Sequence, residues 1–476
     1  MYLYELPTTG AISFADFCAD HSGSKAYTHH LSEATQARAN IRGILKENKR
    51  TEDNERDYLS LVKLLEEYLP YIRALLECVA HDEIILKKEP TFSWRITLTE
   101  SGFRDSPRMD LPGLHAEYSF VLLTYAFALS NLAHSIVTSV GEYEKDRAIS
   151  DAERKAKDER LNVAGDFLCR ASGIFTHISD IVLSEWQTSR AFKRPPDLSK
   201  EVTSALARLS LADAQTLAIR RLLSRAAYDS NIAPGPPLPK SHPAPSLLAK
   251  LHIECASLYT SARTLAKTHA ASKDMFSGKK EVSQDLRHYL GNHAALHHAL
   301  SHKWLGVDAG EKGGTERGGD AVAFLSSAKM KLDELNLAMR TRSLVIGSTD
   351  KRKVEKLDEV VHTEQTSVNA FYEHYKKMND TLHFQPVPTT KDLQSRIPGG
   401  RIAIPAKAFS PPAPAFGPGS AEHARRQAEQ LDLDSPVADD ETISENRDET
   451  HSRPQSEPVT SQPPVKADYA GAGAYF

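Results

Sequence analysis

The stretch AEYSFVLLTYAFALSNLAHSIV, residues 116–137, is a long apolar run inside a chain in which 26% of residues are charged. From Phe120 onward it spans 18 residues, close to the roughly 20 that a membrane-crossing helix needs. Polar side chains interrupt it, and such groups are costly inside a bilayer. We therefore predict a helix buried in a helical protein, since a helix that is apolar on most sides belongs in a core. The interrupting residues are Thr124, Ser130, Asn131, His134 and Ser135.

The composition is that of a soluble globular protein. Hydrophobic residues make up 40% of the 476, and the formal net charge of −4 gives no basic field that would favour nucleic acid. The four cysteines form no CxxC pair, which predicts a reduced, intracellular protein without a disulfide framework or a cysteine-bound zinc. The start, MYLYELPTTG, lacks the basic and apolar regions of a secretion signal, so secretion is not expected.

The segment before the apolar run combines helices with one strand. Residues 24–82 are predicted to form two helices, the second with apolar residues at three- and four-residue spacing from Leu59 to Val79. In TFSWRITLT, residues 91–99, apolar and polar side chains alternate, which predicts a half-buried strand of a small sheet. The glycines and prolines of SGFRDSPRMDLPG, residues 101–113, are then expected to break the chain.

Beyond the apolar run nearly everything is predicted to be helical. Two connectors interrupt the helices: the proline-rich loop of residues 232–245 and the glycine-rich GVDAGEKGGTERGGD, residues 306–320, whose Asp320 is expected to cap the next helix. Long amphipathic helices joined by short connectors predict an extended helical array. The helices are predicted at 114–144, 162–186, 198–229, 246–269, 282–304, 321–343 and 351–379.

The C-terminal part changes in composition after about His383. Residues 385–476 hold 13 of the chain's 26 prolines, and such a segment buries too little apolar surface to offset its ordering entropy. We predict one folded domain over residues 1–400 and a disordered, proline-rich and acidic tail over 401–476. Within that tail PPAPAFGP, residues 411–418, is either a polyproline ligand for small adaptor domains or a spacer.

The histidines of RHYLGNHAALHHALSHKW, residues 287–304, are the strongest candidates for chemistry. His293 and His297 are four residues apart on a predicted helix, as are His298 and His302, and His288 lies further back. This spacing suits zinc or copper, so a metal-binding protein or hydrolase built on the His288–His302 helix is the alternative function. HExxH is absent and no carboxylate falls at a matching position, so we assign no metal ligands.

No other motif indicates catalysis or a cofactor. The glycine-rich connector lacks the spacing and the preceding strand of a phosphate-binding loop, and GxSxG is absent. Short basic clusters such as Lys351-Arg352-Lys353 are balanced by acidic residues, although one of them could meet an anionic lipid surface. By elimination the sequence favours a protein that binds proteins, with no nucleic acid, no small-molecule substrate and no cofactor.

Several stretches, taken in order, resemble the Bro domain family, which includes ALIX and fungal regulators of the response to ambient pH. HAEYSFVLLTYAFALSNLA, residues 115–133, is similar to a family helix written EK..VLFN..AL.SQIA. The likeness covers roughly residues 5 to 400 and is greatest to fungal pH-response members in which the domain ends in a short tail. The other similar stretches are FSWRITLTESGF, VAGDFLCRASGIFTHISDIVLS, LSLADAQTLAI and VPTTKDL.

This resemblance implies a mainly α fold: a curved, boomerang-shaped α-helical solenoid with a tetratricopeptide-like core and a small β element near residues 91–99. It implies a non-enzymatic adaptor of fungal alkaline-pH signalling that binds the C-terminal helix of the main ESCRT-III filament subunit in a hydrophobic groove. It also implies a cytoplasmic protein, recruited to plasma-membrane cortical or endosomal sites. There it would help other pH-signalling components to assemble a complex that leads to proteolytic activation of a zinc-finger transcription factor.

The resemblance further implies which residues form the groove. Leu247 and Leu251 match an isoleucine and a leucine of the family, and their four-residue spacing puts both on one helical face. A family phenylalanine is replaced by Ala218, next to Ile219, which removes a large apolar anchor. Leu393 matches a leucine at the end of the family's domain. The periodicity by itself leaves open whether Leu247 and Leu251 are groove residues or core residues.

Overall fold

The structure is a computed structural model that describes residues 1–433 except for 23–24, 53–54, 100–106, 147, 187–193, 233–234, 269–281 and 344–347. Met1–Gln427 forms one compact unit, and Ala428–Phe476 clusters as a second. Residues 434–476 of the predicted tail lie outside the described residues.

Helices make up most of the described chain, in the order that the periodicity predicts. The α-helices are α1 Thr28–Arg50, α2 Tyr58–Ala80, α3 Leu114–Val140, α4 Asp151–His177, α5 Leu183–Glu185, α6 Lys200–Ile232, α7 Pro245–Thr268, α8 Gln284–Lys312, α9 Gly318–Ser343, α10 Ser348–Met378, α11 Thr390–Ser395 and α12 Ala421–Leu433. A π-helical turn, Ile178–Val182, carries α4 into the short α5. Ser150 starts α4 with a capping box, in which its hydroxyl accepts from the Glu153 amide and the Glu153 carboxylate accepts from the Ser150 amide.

Each long helix packs chiefly against the next long helix along the chain. The main helix pairs are α1–α2, α2–α3, α3–α4, α4–α6, α6–α7, α7–α8, α8–α9 and α9–α10. An amphipathic helix has to bury its apolar face, and sequential neighbours with short connectors do this at low cost in loop entropy. The predicted α-helical solenoid is confirmed.

Helix α3, which contains the apolar run, lies in the interior of this array. Phe120, Leu123 and Phe127 have no exposed surface, and neither has the acidic residue Glu117. By length and composition α3 could cross a membrane, but 72% of its apolar window is buried inside the protein itself. The neighbouring helices thus supply the apolar surroundings that a bilayer would otherwise have to supply.

Two small antiparallel sheets lie at the N-terminal end of the array. β1 (Cys18–Asp20) pairs with β2 (Ile84–Leu86), and β3 (Thr91–Arg95) pairs with β4 (Arg108–Pro112). The predicted strand is present but shorter than 91–99. RMDLP, which was expected only to break the chain, is instead the partner strand β4, because a lone half-buried strand needs another edge to satisfy its amides.

The glycine-rich connector is much shorter than expected, because α8 continues to Lys312. Its glycines Gly306 and Gly310 are helical positions where neighbours approach closely. A Cβ at Gly306 would lie 2.7 Å from the Leu325 side chain, and one at Gly310 would lie 2.5 Å from the Tyr375 ring. Asp320 is not a cap either: it lies within the first turn of α9. These glycines therefore reflect close helix packing rather than a loop.

A segment that we call the strap, residues 397–420, runs without long regular elements over the helices. Its last large side chain, Phe416, is 1% exposed, stacks on His30 with ring centroids 4.8 Å apart and also contacts the ring of Tyr27. The Ala415 amide donates to the carbonyl of Pro70 in α2. The domain boundary predicted at residue 400 falls inside the strap, so the ordered part continues to at least residue 420. Because PPAPAFGP packs on the helices, it is not a free polyproline ligand in this structure.

Candidate partner-binding surface

Helices α6 and α7 pack side by side and carry four of the five residues expected to contact a partner. Ala218 on α6 and Leu247 on α7 are each partly exposed. Leu222 lies four residues after Ala218 on the same side of α6, and 38% of it is exposed. We call the partly exposed apolar residues Ala218 and Leu222 of α6 and Leu247 of α7 the α6–α7 patch.

The other three expected residues are in the core. Leu251 and Ile219 are each 4% exposed and Leu393 is 3% exposed. Leu251 follows the fully buried Leu248 on the inner side of α7, whereas Leu247 lies at the edge of that side. Since a helix turns by about 100° per residue, a spacing of four does not guarantee equal exposure. Ala218 and Leu247 therefore lie partly exposed on two packed helices, whereas Leu251 and Ile219 are buried.

Leu393 occupies a different place from the other four. It lies in α11, a short helix opened by a capping box between Thr389 and Asp392, and the principal helix contact of α11 is α9. The chain that leaves α11 reaches α7 in the strap, where Ile397 lines a cavity together with residues of α7. Leu393 thus holds the beginning of the strap in position rather than extending the α6–α7 patch.

The strap forms one border of the patch. The Arg401 amide donates to the carbonyl of Lys250 on α7, at 3.0 Å, and the Ala403 amide donates to Oε1 of Gln215 on α6, at 2.7 Å. Nε2 of Gln215 in turn donates to the Ile404 carbonyl. Gln215 precedes Ala218 by three residues, and Lys250 follows Leu247 by three. Because α6 and α7 run antiparallel, Gln215 and Lys250 are displaced from the patch in the same direction along the helix pair. The strap therefore passes one turn from the patch on both helices.

The next part of the strap packs closely against the backbone of helix α4, where a glycine leaves room for it. The Lys407 amide donates to the carbonyl of Cys169 at 3.2 Å, and the Lys407 ammonium pairs with Asp166. A Cβ at Gly173 would lie 1.7 Å from the Lys407 carbonyl oxygen, so this approach needs glycine there. Backbone contacts therefore hold the strap against the helices, and the strap keeps its position beside the patch.

A buried polar network lies between α6, α7 and α8. Oδ1 of Asp213 accepts from the hydroxyls of Tyr259 and Tyr289, at 2.6 and 2.7 Å. Burial raises the pKa values of both tyrosines, and the charge of Asp213 adds to this effect. Both phenols therefore stay protonated and act as donors. This network fixes the spacing of the three helices at the depth of the core.

The predicted histidine cluster divides into two groups. His297 lies in the core, where its Nδ1 is 2.9 Å from Nδ1 of His252, and His293 packs against the ring of Tyr289. Burial lowers the pKa of His297 to about 4, so one proton shared between two neutral rings satisfies this pair. His298 and His302 form the second group, on the side of α8 towards α9 and the strap. In the described part of the chain, the one set of three potential metal ligands within 4.8 Å is His29, His30 and Glu33 of α1.

Sequence reasoning missed Gln215, Lys250 and the strap as parts of this surface. The sequence around Gln215 does not indicate its role, because its side-chain amide bonds only the strap backbone 188 and 189 residues further on. The glycine at position 173 was the available hint, since glycine inside a helix is unfavourable unless something packs against it.

A family model described as a BRO1-like domain matches residues 13–423. The chain belongs to the BRO1-like domain family. The match includes the strap, in agreement with an ordered part that continues past residue 400.

Among individual proteins, the chain is similar to the pH-response regulator protein palC of Cryptococcus neoformans var. neoformans serotype D (strain B-3501A). The two are 36% identical over 466 residues, which cover 89% of this chain and 94% of that protein. It is also similar to palC of Emericella nidulans, with 26% identity over 87% of this chain and 89% of the relative.

Solved structures with the same fold include ALIX in complex with the SIVmac239 PYKEVTEDL late domain, with a TM-score of 0.59 and 18% identity over 91% of this chain. This chain spans 54% of that longer one. The ALIX BRO1 complex with CHMP4C has a TM-score of 0.57 and 18% identity, over 87% of this chain and 97% of the solved one. At this level of identity the likeness establishes the fold, which is the curved helical fold of these domains.

Proposed function

We propose that this protein is a non-enzymatic adaptor of the response to ambient pH, which docks the C-terminal amphipathic helix of an ESCRT-III filament subunit on the α6–α7 patch. The observation that carries the proposal is the partly exposed apolar surface at Ala218, Leu222 and Leu247, at the place where the family resemblance puts the groove. An amphipathic helix binds such a surface by laying apolar residues at i, i+3, i+4 and i+7 against it.

The ALIX BRO1 domain has been solved in complex with CHMP4C, and the relatives that match over most of their length are pH-response regulators. Both findings support an adaptor role for this chain. The replacement of a family phenylalanine by Ala218 leaves less apolar area on α6. Leu222 supplies apolar area one turn further along, so the partner helix is expected to contact α6 nearer its C-terminal end.

Calorimetry with a synthetic peptide of the filament subunit's C-terminal helix tests the proposal. Leu247→Asp and Leu222→Asp should each weaken binding by about tenfold or more, because an anchor in an apolar contact typically contributes about 1–2 kcal/mol or more. Leu337→Asp on α9 is the matched control, since it makes the same change at a leucine that is 69% exposed. Wild-type affinity in Leu247→Asp, with helical content retained, would reject this surface.

The place of the adaptor in the cell follows from the same proposal. We infer a cytoplasmic protein that is recruited to endosomal or plasma-membrane cortical sites, where its complex leads to proteolytic activation of a zinc-finger transcription factor. The relatives' role in the pH response supports this pathway. Cells that carry Leu247→Asp at normal protein levels should then fail to process the transcription factor at alkaline pH, whereas cells that carry Leu337→Asp should process it normally.

A further inference from the structure

A cavity lies between α7 and α8, with a volume of about 380 Å³. Ile397 of the strap lines one side of it. Hydroxyl groups line much of its wall, and two histidines of α8 complete it. The residues that carry the argument are Ser257, Thr260, Ser301, His298, His302 and Ile397.

His302 brings a buried imidazole to the wall of this cavity. Its side chain is 6% exposed, and both of its ring nitrogens lack a hydrogen-bond partner among the described residues. The edge-on ring of Phe324, 5.7 Å away between centroids, gives it an apolar contact on α9. A buried polar atom without a partner costs about 1–3 kcal/mol. A ligand that bonds the imidazole would remove that cost.

His298 places a second imidazole at the distance that one metal ion requires. The two histidines are four residues apart on α8, and their ring centroids are 5.0 Å apart with planes tilted by 31°. With zinc–nitrogen bonds of about 2.0–2.1 Å and a tetrahedral angle, two imidazoles on one ion have centroids roughly 5 Å apart. His298 is itself exposed, so an ion could enter from solvent.

The donor types narrow the class of ligand. Calcium and magnesium prefer carboxylate and carbonyl oxygens, which this cavity does not offer among its described lining residues. Imidazole nitrogen instead suits zinc, copper and nickel.

We propose that His298 and His302 bind one transition-metal ion of the zinc class, with water and the Ser257 or Thr260 hydroxyl filling the remaining positions. This site is separate from the α6–α7 patch and does not depend on the proposed adaptor function. The other two histidines of the row, His293 and His297, take no part, because they are engaged in the core.

Zinc titration of the full chain by calorimetry, after treatment with a chelator, tests the site, and Co²⁺ absorption reports the ligands. Wild type should bind one Zn²⁺ at this site. His298→Ala should weaken that binding by more than about tenfold, since loss of even an outer-shell partner costs roughly 10–100-fold. His302→Gln should do the same. His298 is exposed, so its replacement should leave the unfolding midpoint unchanged.

The surface group at His29 and His30 provides the control for a competing site. The double variant His29→Ala/His30→Ala should keep the zinc affinity and the Co²⁺ spectrum of the α8 site. The proposal is rejected if wild type binds no zinc, if binding persists unchanged in His298→Ala, or if the His29→Ala/His30→Ala variant loses all binding.

Discussion

Arg38 of α1 and Glu117 of α3 form a fully buried ion pair, with 2.7 Å between Nε and Oε1. Glu117 also accepts from the Trp94 indole at 2.7 Å, and Arg38 donates to the Gly10 carbonyl. One carboxylate of the apolar helix thus joins α1, the β3 strand and the N-terminal segment. Burial acts to lower the pKa of Arg38, but the interactions with Glu117 and Tyr68 together raise it. The guanidinium therefore stays charged.

Removing one member of this pair should destabilise the protein strongly. Glu117→Gln leaves Arg38 as a buried charge without a counter-ion, and such a loss typically costs about 3–5 kcal/mol. Urea unfolding followed by circular dichroism measures the change. Asp151→Asn removes the exposed partner of Arg154 and should shift the urea midpoint far less, because an exposed ion pair is screened by water. Equal effects of the two substitutions would contradict the assigned role of Glu117.

The two leucines of α7 should differ in how they tolerate a charge. Leu251→Asp puts a carboxylate in the core and should cost about 4 kcal/mol or more, or prevent folding. Leu247→Asp leaves the carboxylate partly in water and should cost about 1–2 kcal/mol. Thermal and urea unfolding of the purified variants compare them. A stable, fully helical Leu251→Asp protein would show that Leu251 is a surface residue.

The packing of the strap on α4 should depend on the glycine at position 173. Gly173→Ala places a methyl group against the Lys407 carbonyl and should lower the free energy of unfolding by about 1–3 kcal/mol. It should also speed hydrogen exchange at the Lys407 amide, which donates to Cys169. The control is Gly43→Ala, where no atom lies within 4 Å of the new methyl group. That change should stabilise α1 by up to about 1 kcal/mol. Unaltered exchange at Lys407 in Gly173→Ala would argue against a strap seated on α4.

The buried histidines should make the fold sensitive to mild acid. Burial lowers the pKa of His297 to about 4 in the folded chain, against about 6.5 in the unfolded chain. Between these values the unfolded chain binds a proton that the folded chain does not. Stability is therefore complete above pH 6.5 and declines towards pH 4, by up to about 3 kcal/mol for this one group.

Urea midpoints of the wild type and His297→Gln at pH 7.5 and pH 5 measure this effect. The wild type should lose more stability than the variant between the two pH values, because glutamine does not titrate. His374→Gln, at an exposed histidine, should keep the wild-type slope. An unchanged slope in His297→Gln would mean that His297 takes up its proton without unfolding.

The apolar run, the helix order and the family resemblance could all be read from sequence, because each depends on residues close together in the chain. Hydrophobic periodicity located α2 through the spacing from Leu59 to Val79, and the interior position of α3 followed from its apolar sides. The strand β4 and the helical glycines Gly306 and Gly310 were missed, since their local composition resembles that of loops. The local composition of a segment does not show which residues from distant parts of the chain will pack against it.

The exposure of the candidate site residues depends on such distant packing partners. The sequence by itself determined a solenoid of long helices with α3 inside it, and it placed Leu247 and Leu251 on the same helix. Only the tertiary structure decided that Leu247 is partly exposed and Leu251 buried. It also decided that the strap borders the patch through Gln215, whose partner Ile404 lies 189 residues away. The reason is physical: periodicity fixes the direction of a side chain around its own helix, whereas burial depends on which distant segment packs against that direction.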